Sequence, residues 1–338
     1  MKHRQLYKYA LLGAVAFAAS LGLASASDRG PGTIALPAQM VASASAFASY
    51  MDQAGGVRAD FHDADSVHQR LKTGVSYEPA QFEEGMIAYG ALVALQDGAF
   101  IDAVARVGNT PEERESLAAA LEADPTQALR FDSAGDAARE VESALMDRAG
   151  PVSSAGKAVK QAAYDIQHQA WSKDRVVNLQ GRLREVKSLS STRYPGADGD
   201  GARLSQAMLQ LPQPGPGGGS VSPVVSRSLA LAAVAVLGEA KPDDLPRLQP
   251  LLSEYYSADC INMAKLNLYQ CMAVAEPNYE NVFCLGQHAL IDTGQCVSEA
   301  VTASPNRYAP PPRVILASTA PVKAPAKAAA HRRHRRRS

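Results

Sequence analysis

Apolar residues in this chain recur three and four positions apart and almost nowhere in strict alternation, so the pattern predicts helices. The stretch "QFEEGMIAYGALVALQDGAFIDAVARVG" sets Phe82, Met86, Tyr89, Leu92, Val93, Leu95, Phe100, Val104 and Val107 on a helical face, with a break near Asp97-Gly98. "NTPEERESLAAALEAD" carries Thr110 as N-cap, Pro111 at the first helical position and Glu113 three residues on, a capping box that predicts a helix ending before Pro125. In "AGKAVKQAAYDIQHQAWSKDRVVNLQGRLREVKSL" the residues Val159, Ala163, Ile166, Ala170 and Val177 repeat at helical spacing. Tyr164, His168 and Trp171 adjoin them and read as a buried edge or a partner contact before they read as a pocket floor. "VVSRSLALAAVAVLG" is interrupted by Arg227 and too brief to span a bilayer, so it predicts a buried helix.

The expected fold class is therefore all-α: a helical bundle with a C-terminal disulfide-stapled helical hairpin and a disordered C-terminal tail. The expected organisation is a signal peptide over residues 1–26, an N-terminal helical region over 27–211 and a Gly/Pro-rich linker or loop over 212–223. A C-terminal helical region with the cysteine hairpin follows over 224–303, then a basic tail over 304–338. No internal repeat is evident.

The ends change the picture given by a balanced total of 34 basic and 34 acidic residues. Lys2, Arg4 and Lys8 precede an uncharged run from Ala10 to Leu23 and the small triplet Ala24-Ser25-Ala26, which predicts a secretory signal peptide cleaved before Ser27, and no transmembrane span thereafter. Residues 304–338 hold nine basic and no acidic residues, so the body from 27 to 303 has 22 basic against 34 acidic, a net of −12. Rich in Pro, Ala and Arg, the tail cannot bury enough apolar surface to offset its ordering entropy. Its last residues, Arg332, Arg333, Arg335, Arg336 and Arg337, suit an anionic polymer or membrane surface, since clustered guanidinium groups attract at range and pair bidentately. Export argues against nucleic acid as the partner.

All four cysteines lie in "CINMAKLNLYQCMAVAEPNYENVFCLGQHALIDTGQC", without the C-x-x-C spacing that zinc or a thioredoxin-like site requires. In an exported chain an even set predicts disulfides. Cys260 and Cys271 share a stripe of one helix but stand about 16 Å apart along it, beyond the roughly 7 Å a bridge allows. A helical hairpin broken at Pro277 instead pairs Cys260 with Cys296 and Cys271 with Cys284. Twelve steps separate Cys284 from Cys296 and turn the second thiol about 120° off the stripe. Gly294 is expected to loosen the helix and bring Cys296 round.

This nested pattern resembles the twin-cysteine coiled-coil-helix-coiled-coil-helix modules, in architecture and over residues 260–296 alone; the spacings of ten and eleven residues between cysteines here are longer than theirs. Segments such as "AFASYMDQAGGVRADF" and "YEPAQFEEGMIAYGALVALQDGAF" resemble exported alphaproteobacterial proteins of unknown function. That likeness implies a periplasmic setting and carries over no catalytic residue.

Candidate chemistry is sparse. "ADFHDADSVH" gathers Asp60, His62, Asp63, Asp65 and His68, the densest set of metal-ligand types; a solvated acidic turn before a helix accounts for it more simply. "GADGDGARL" starts like a calcium loop at Asp198 and Asp200, then lacks its third ligand and its bidentate Glu. Cys284, His288 and Asp292 fall at i, i+4 and i+8, a thiolate–imidazole arrangement that a disulfide at Cys284 would abolish. The composition and motifs therefore predict an exported, non-enzymatic binding or scaffolding protein without cofactor, its hairpin available to a protein partner. The alternative is an envelope hydrolase or metal-dependent enzyme using the cluster around His62.

Overall fold

Seven of the fourteen α-helices among the described residues start on a side chain that accepts from otherwise unsatisfied backbone N–H groups. In the computed structural model, which describes residues 34–211 and 220–302, α1 (Ala38–Gly55) follows Pro37 and α2 (Ala64–Val75) opens on a reciprocal Asp63–Ser66 capping box. Glu78 caps α3 (Pro79–Ala94) and Asp97 caps α4 (Gly98–Ala105), so the chain breaks where the Asp97-Gly98 signal places it. Thr110, Pro111 and Glu113 form the expected box on α5 (Pro111–Ala123), which stops before Pro125. There follow α6 (Ala134–Asp165), α7 (Ala170–Lys173), α8 (Leu179–Leu189) and α9 (Asp200–Met208). After the Gly/Pro-rich stretch come α10 (Pro223–Val236), α11 (Leu245–Leu248), α12 (Tyr255–Val274), α13 (Asn278–Cys284), a π-helical stretch (Leu285–Ile291) and α14 (Asp292–Val301). The described residues form no strand, only an isolated bridge between Arg175 and Pro277.

Two expectations need correction. The pattern from Ala155 to Leu189 is divided among α6, a 3-10 turn, α7 and α8, and Val177, placed on the buried face by its spacing, is 82% exposed. The chain turns extended at Gln169 and again at Asp174, where backbone bonds to Glu276 and Asn278 outweigh helical continuity. Val107 is likewise exposed, since α4 ends two residues earlier. Conversely, α6 begins well before the periodic run and continues through Pro151, whose ring lies against Gly55 of α1.

One hydrophobic cluster runs from Leu36 to Val301 and draws on residues from both sides of the 212–223 stretch, of which 212–219 lie outside the described residues. α10 is apolar on all sides and accordingly buried from Val224 to Ala235, apart from half-buried Arg227, as expected of "VVSRSLALAAVAVLG". Its interior serines are satisfied locally: Ser228 Oγ lies 3.0 Å from the Ile87 carbonyl of α3 and 3.1 Å from that of Val224. α1 lies across α3 at Gly85, where a Cβ would come within 2.2 Å of the Ser43 carbonyl oxygen. α6 packs against α1 and α3 and against the whole second arm of the hairpin. Among the described residues no single helix is long and apolar enough to cross a membrane.

Candidate functional site

The hairpin is closed as the cysteine spacing predicts. Cys260–Cys296 and Cys271–Cys284 are both bridged, with Cα separations of 5.6 and 5.7 Å, inside the range disulfides adopt. The device that aligns the second arm is not the expected one. Gly294 sits inside α14, where a Cβ would meet Ser153 Oγ of α6 at 2.5 Å, so it serves a close helix approach and breaks nothing. Phase is corrected by the π-helical stretch from Leu285 to Ile291. An i→i+5 turn takes up one more residue than an i→i+4 turn, so twelve steps from Cys284 to Cys296 advance like the eleven from Cys260 to Cys271. The disulfides fit an oxidising environment.

Between its two cysteines, α12 sends one charged side chain inward. Lys265 is buried, its Nζ 2.7 Å from the Val75 carbonyl at the end of α2, 3.1 Å from Ser190 Oγ and 3.4 Å from the centroid of the Tyr77 ring. Nearby, the buried Tyr50 hydroxyl lies 3.0 Å from the Gly74 carbonyl and 3.2 Å from that of Ala289, while Tyr77 OH and Thr293 Oγ1 are 2.9 Å apart. Burial pushes the Lys265 ammonium well below its usual range, opposed by the Glu78 carboxylate, and burial raises the Tyr50 phenol. Because the folded state of Lys265 holds its proton less tightly than the unfolded state, stability falls as pH drops from the usual lysine range through the lowered folded value. Lys265→Met is therefore expected to stabilise the protein at neutral pH by roughly 1–3 kcal/mol and to flatten that pH dependence. The Val75 carbonyl keeps the Ser190 hydroxyl as donor, at 3.1 Å, so the substitution orphans nothing there. Urea titrations of both proteins at several pH values check it; a destabilised variant would show that the amine's contacts outweigh its desolvation.

A cleft of about 330 Å³ opens beside this hub, at the lower end of small-molecule sites. Phe47, Tyr50, Tyr77 and Phe82 underlie it, and Gln53, Glu78 and Arg203 are among its polar lining. Its polar groups are largely committed to the fold. Glu78 caps α3 and pairs with Arg193 at 3.1 Å; Gln81 exchanges two 2.7 Å bonds with the backbone of Tyr194. Arg203 pairs with buried Asp200, whose carboxyl stays below its usual range: burial acts upward but is outweighed by the Ala197 N–H, the Ser45 hydroxyl and Arg203.

The other sequence candidates are dispersed. Asp60 pairs with Arg58 and Arg70, Asp63 caps α2, and exposed His62 stands 3.7 Å from Asp63. His68 points elsewhere, to Glu185 of α8 at 3.3 Å. Among the described residues no group of three or more His, Cys, Asp or Glu side chains is placed to hold a metal. With Cys284 oxidised, His288 is left with Asp292, its Nδ1 2.8 Å from the carboxylate. Arg332, Arg333, Arg335, Arg336 and Arg337, like the signal sequence, lie outside the described residues.

The sequence reading missed Lys265 and Glu83. Glu83 is a buried carboxylate of α3 that accepts from the Glu254 N–H at 2.6 Å and from Ser257 Oγ at 2.7 Å, at the start of α12; burial raises its pKa. The only available signal was a charged residue within an otherwise apolar helical face. No protein-family model matches the chain, and no curated protein or solved structure matches it either.

Proposed function

We propose that the protein is an exported, non-enzymatic binding or scaffolding protein of a bacterial periplasm or cell envelope, whose terminal arginines contact an anionic envelope component. The observation that carries this reading is the segregation of charge: an acidic body of net −12 followed by a tail with nine basic residues and no acidic ones. The oxidised hairpin supports the compartment. A body of that charge is repelled by an anionic surface, so attraction falls to the tail, at about 1 kcal/mol for each arginine near an anionic membrane. The hairpin supplies a rigid face to a protein partner, and the tail raises encounter rate.

The test compares the mature full-length protein with a chain ending at Ser304 on peptidoglycan and on phosphatidylglycerol vesicles. The full chain is expected to be retained at low salt and released at high salt, while the shorter chain is not retained. Equal retention of both removes the tail from the account.

A further inference from the structure

Three segments of the fold wall the cleft beside the Lys265 hub. Ala46, Ser49, Tyr50 and Gln53 line it from α1, at the i, i+3, i+4 and i+7 positions of one helical face. The start of α3 adds Glu78 and Phe82, and α9 adds Arg203. The floor is aromatic: Phe47, Tyr50, Tyr77 and Phe82 meet edge to face or tilted, with ring centroids 4.5 to 5.5 Å apart. Its hydroxyls are already engaged, Tyr50 with the Gly74 and Ala289 carbonyls and Tyr77 with Thr293. A ligand resting there meets apolar ring surface alone.

The rim keeps polar capacity. Among the described residues the side chains of Ser49 and Gln53 have no hydrogen-bond partner. Arg203 is 63% exposed and uses its guanidinium on Asp200 and the Tyr194 hydroxyl, which leaves N–H donors over from its five. Glu78 Oε1 accepts the Ala80 N–H at 3.0 Å and has a second lone pair to offer. Arg203 and Glu78 are the one base and the one acid among the described residues lining the cleft, so the lining is neutral as a whole while carrying both signs. A simple anion would meet Glu78 and a body of net −12, and a simple cation would meet Arg203. A zwitterion satisfies both ends. At about 30 Å³ for each water displaced, 330 Å³ corresponds to about eleven waters, the bulk of a ligand of about a dozen non-hydrogen atoms.

We propose that this cleft binds a free α-amino acid with an apolar side chain. The side chain rests on the rings of Phe47, Tyr50 and Phe82, the carboxylate pairs with Arg203, and the ammonium pairs with Glu78. Ser49 and Gln53 supply the remaining hydrogen bonds. The assignment stands whether or not the terminal arginines contact an envelope component.

Titrations of the full-length protein with L-phenylalanine and L-leucine, followed by protein chemical shifts, test it. One or both are expected to bind with Kd between about 10 μM and 1 mM, as befits ligands of this size. N-acetyl-L-phenylalanine, which lacks the ammonium, and L-phenylalaninamide, which lacks the carboxylate, should each bind about tenfold more weakly or worse than L-phenylalanine. In Arg203→Gln the amide and the free amino acid should bind alike, while Asp200 keeps the Ala197 N–H and the Ser45 hydroxyl. Ser49→Leu fills the cleft from a half-buried helix position and should abolish binding; Gln53→Ala, at an exposed position without a partner, should weaken it about threefold without touching the fold. No saturable binding of either amino acid up to about 10 mM, well beyond the expected range, would overturn the proposal. So would equal affinity for the acetylated and amidated forms, or parent affinity in both Ser49→Leu and Gln53→Ala.

Discussion

Replacing Cys260 and Cys296 together by Ala is expected to cost about 4 kcal/mol of unfolding free energy, and replacing Cys271 and Cys284 about 3. The difference follows from loop length, since the bridges span sequence separations of 36 and 13 residues and the longer loop loses more entropy in the unfolded chain when closed. The outer pair also fixes the start of α12, where Glu83 of α3 accepts from Glu254 and Ser257. Loss of the outer bridge should therefore weaken a contact with the bundle as well as the hairpin itself. Urea titrations of the two double variants, with the parent under reducing and oxidising conditions, give the comparison. An outer variant whose midpoint matches the parent's would show that packing alone holds the arms in register.

Gly286→Ala is expected to destabilise by about 3 kcal/mol or more, against the gain of about 1 kcal/mol that helix propensity alone would assign. An added Cβ at Gly286 would stand 2.5 Å from the Lys160 backbone nitrogen and 2.9 Å from its Cα, atoms that cannot rotate away. Gly156 of α6 is its counterpart, where a Cβ would lie 2.7 Å from the Ile291 nitrogen. These two glycines let the π-helical stretch and α6 approach backbone to backbone. Gly150 provides the control, being in the same long helix with nothing within 4 Å of an added Cβ. Gly150→Ala should stabilise by up to about 1 kcal/mol. If both substitutions move the thermal midpoint the same way, the close approach does not govern stability.

Much of this architecture is legible in particular residues. Thr110, Pro111 and Glu113 announce α5 because capping is local chemistry, and Asp97-Gly98 marks a break for the same reason. The bridge pairing follows from helix geometry once the cysteines are placed on a hairpin. Other features depend on partners remote in sequence. The 169–178 segment leaves the helix because backbone bonds from Val176 to Glu276 and from Asn278 to Asp174 hold it against the hairpin turn. The π-helical stretch is invisible to a periodicity argument that assumes a constant turn, although the twelve-step cysteine spacing required some adjustment. Lys265 escapes a sequence reading because its one local signal, a charge within an apolar helical face, does not say that Val75, Ser190 and Tyr77 will enclose it. The Asp60–His68 cluster divides because Asp63 is used as a cap and His68 turns to Glu185.

The covalent tie at Cys296 has a mechanical side. A pull applied to the chain beyond Thr302 can unravel α14 only as far as Cys296, after which the load passes through sulfur into α12 and the bundle behind it. If the terminal arginines anchor the molecule to a wall or membrane, tension on that anchor cannot peel the second arm of the hairpin off the first beyond Cys296 while the thiols stay oxidised. The same fastening would give way at low force once reduced, which makes the redox state of one bond the setting for how firmly the body is held.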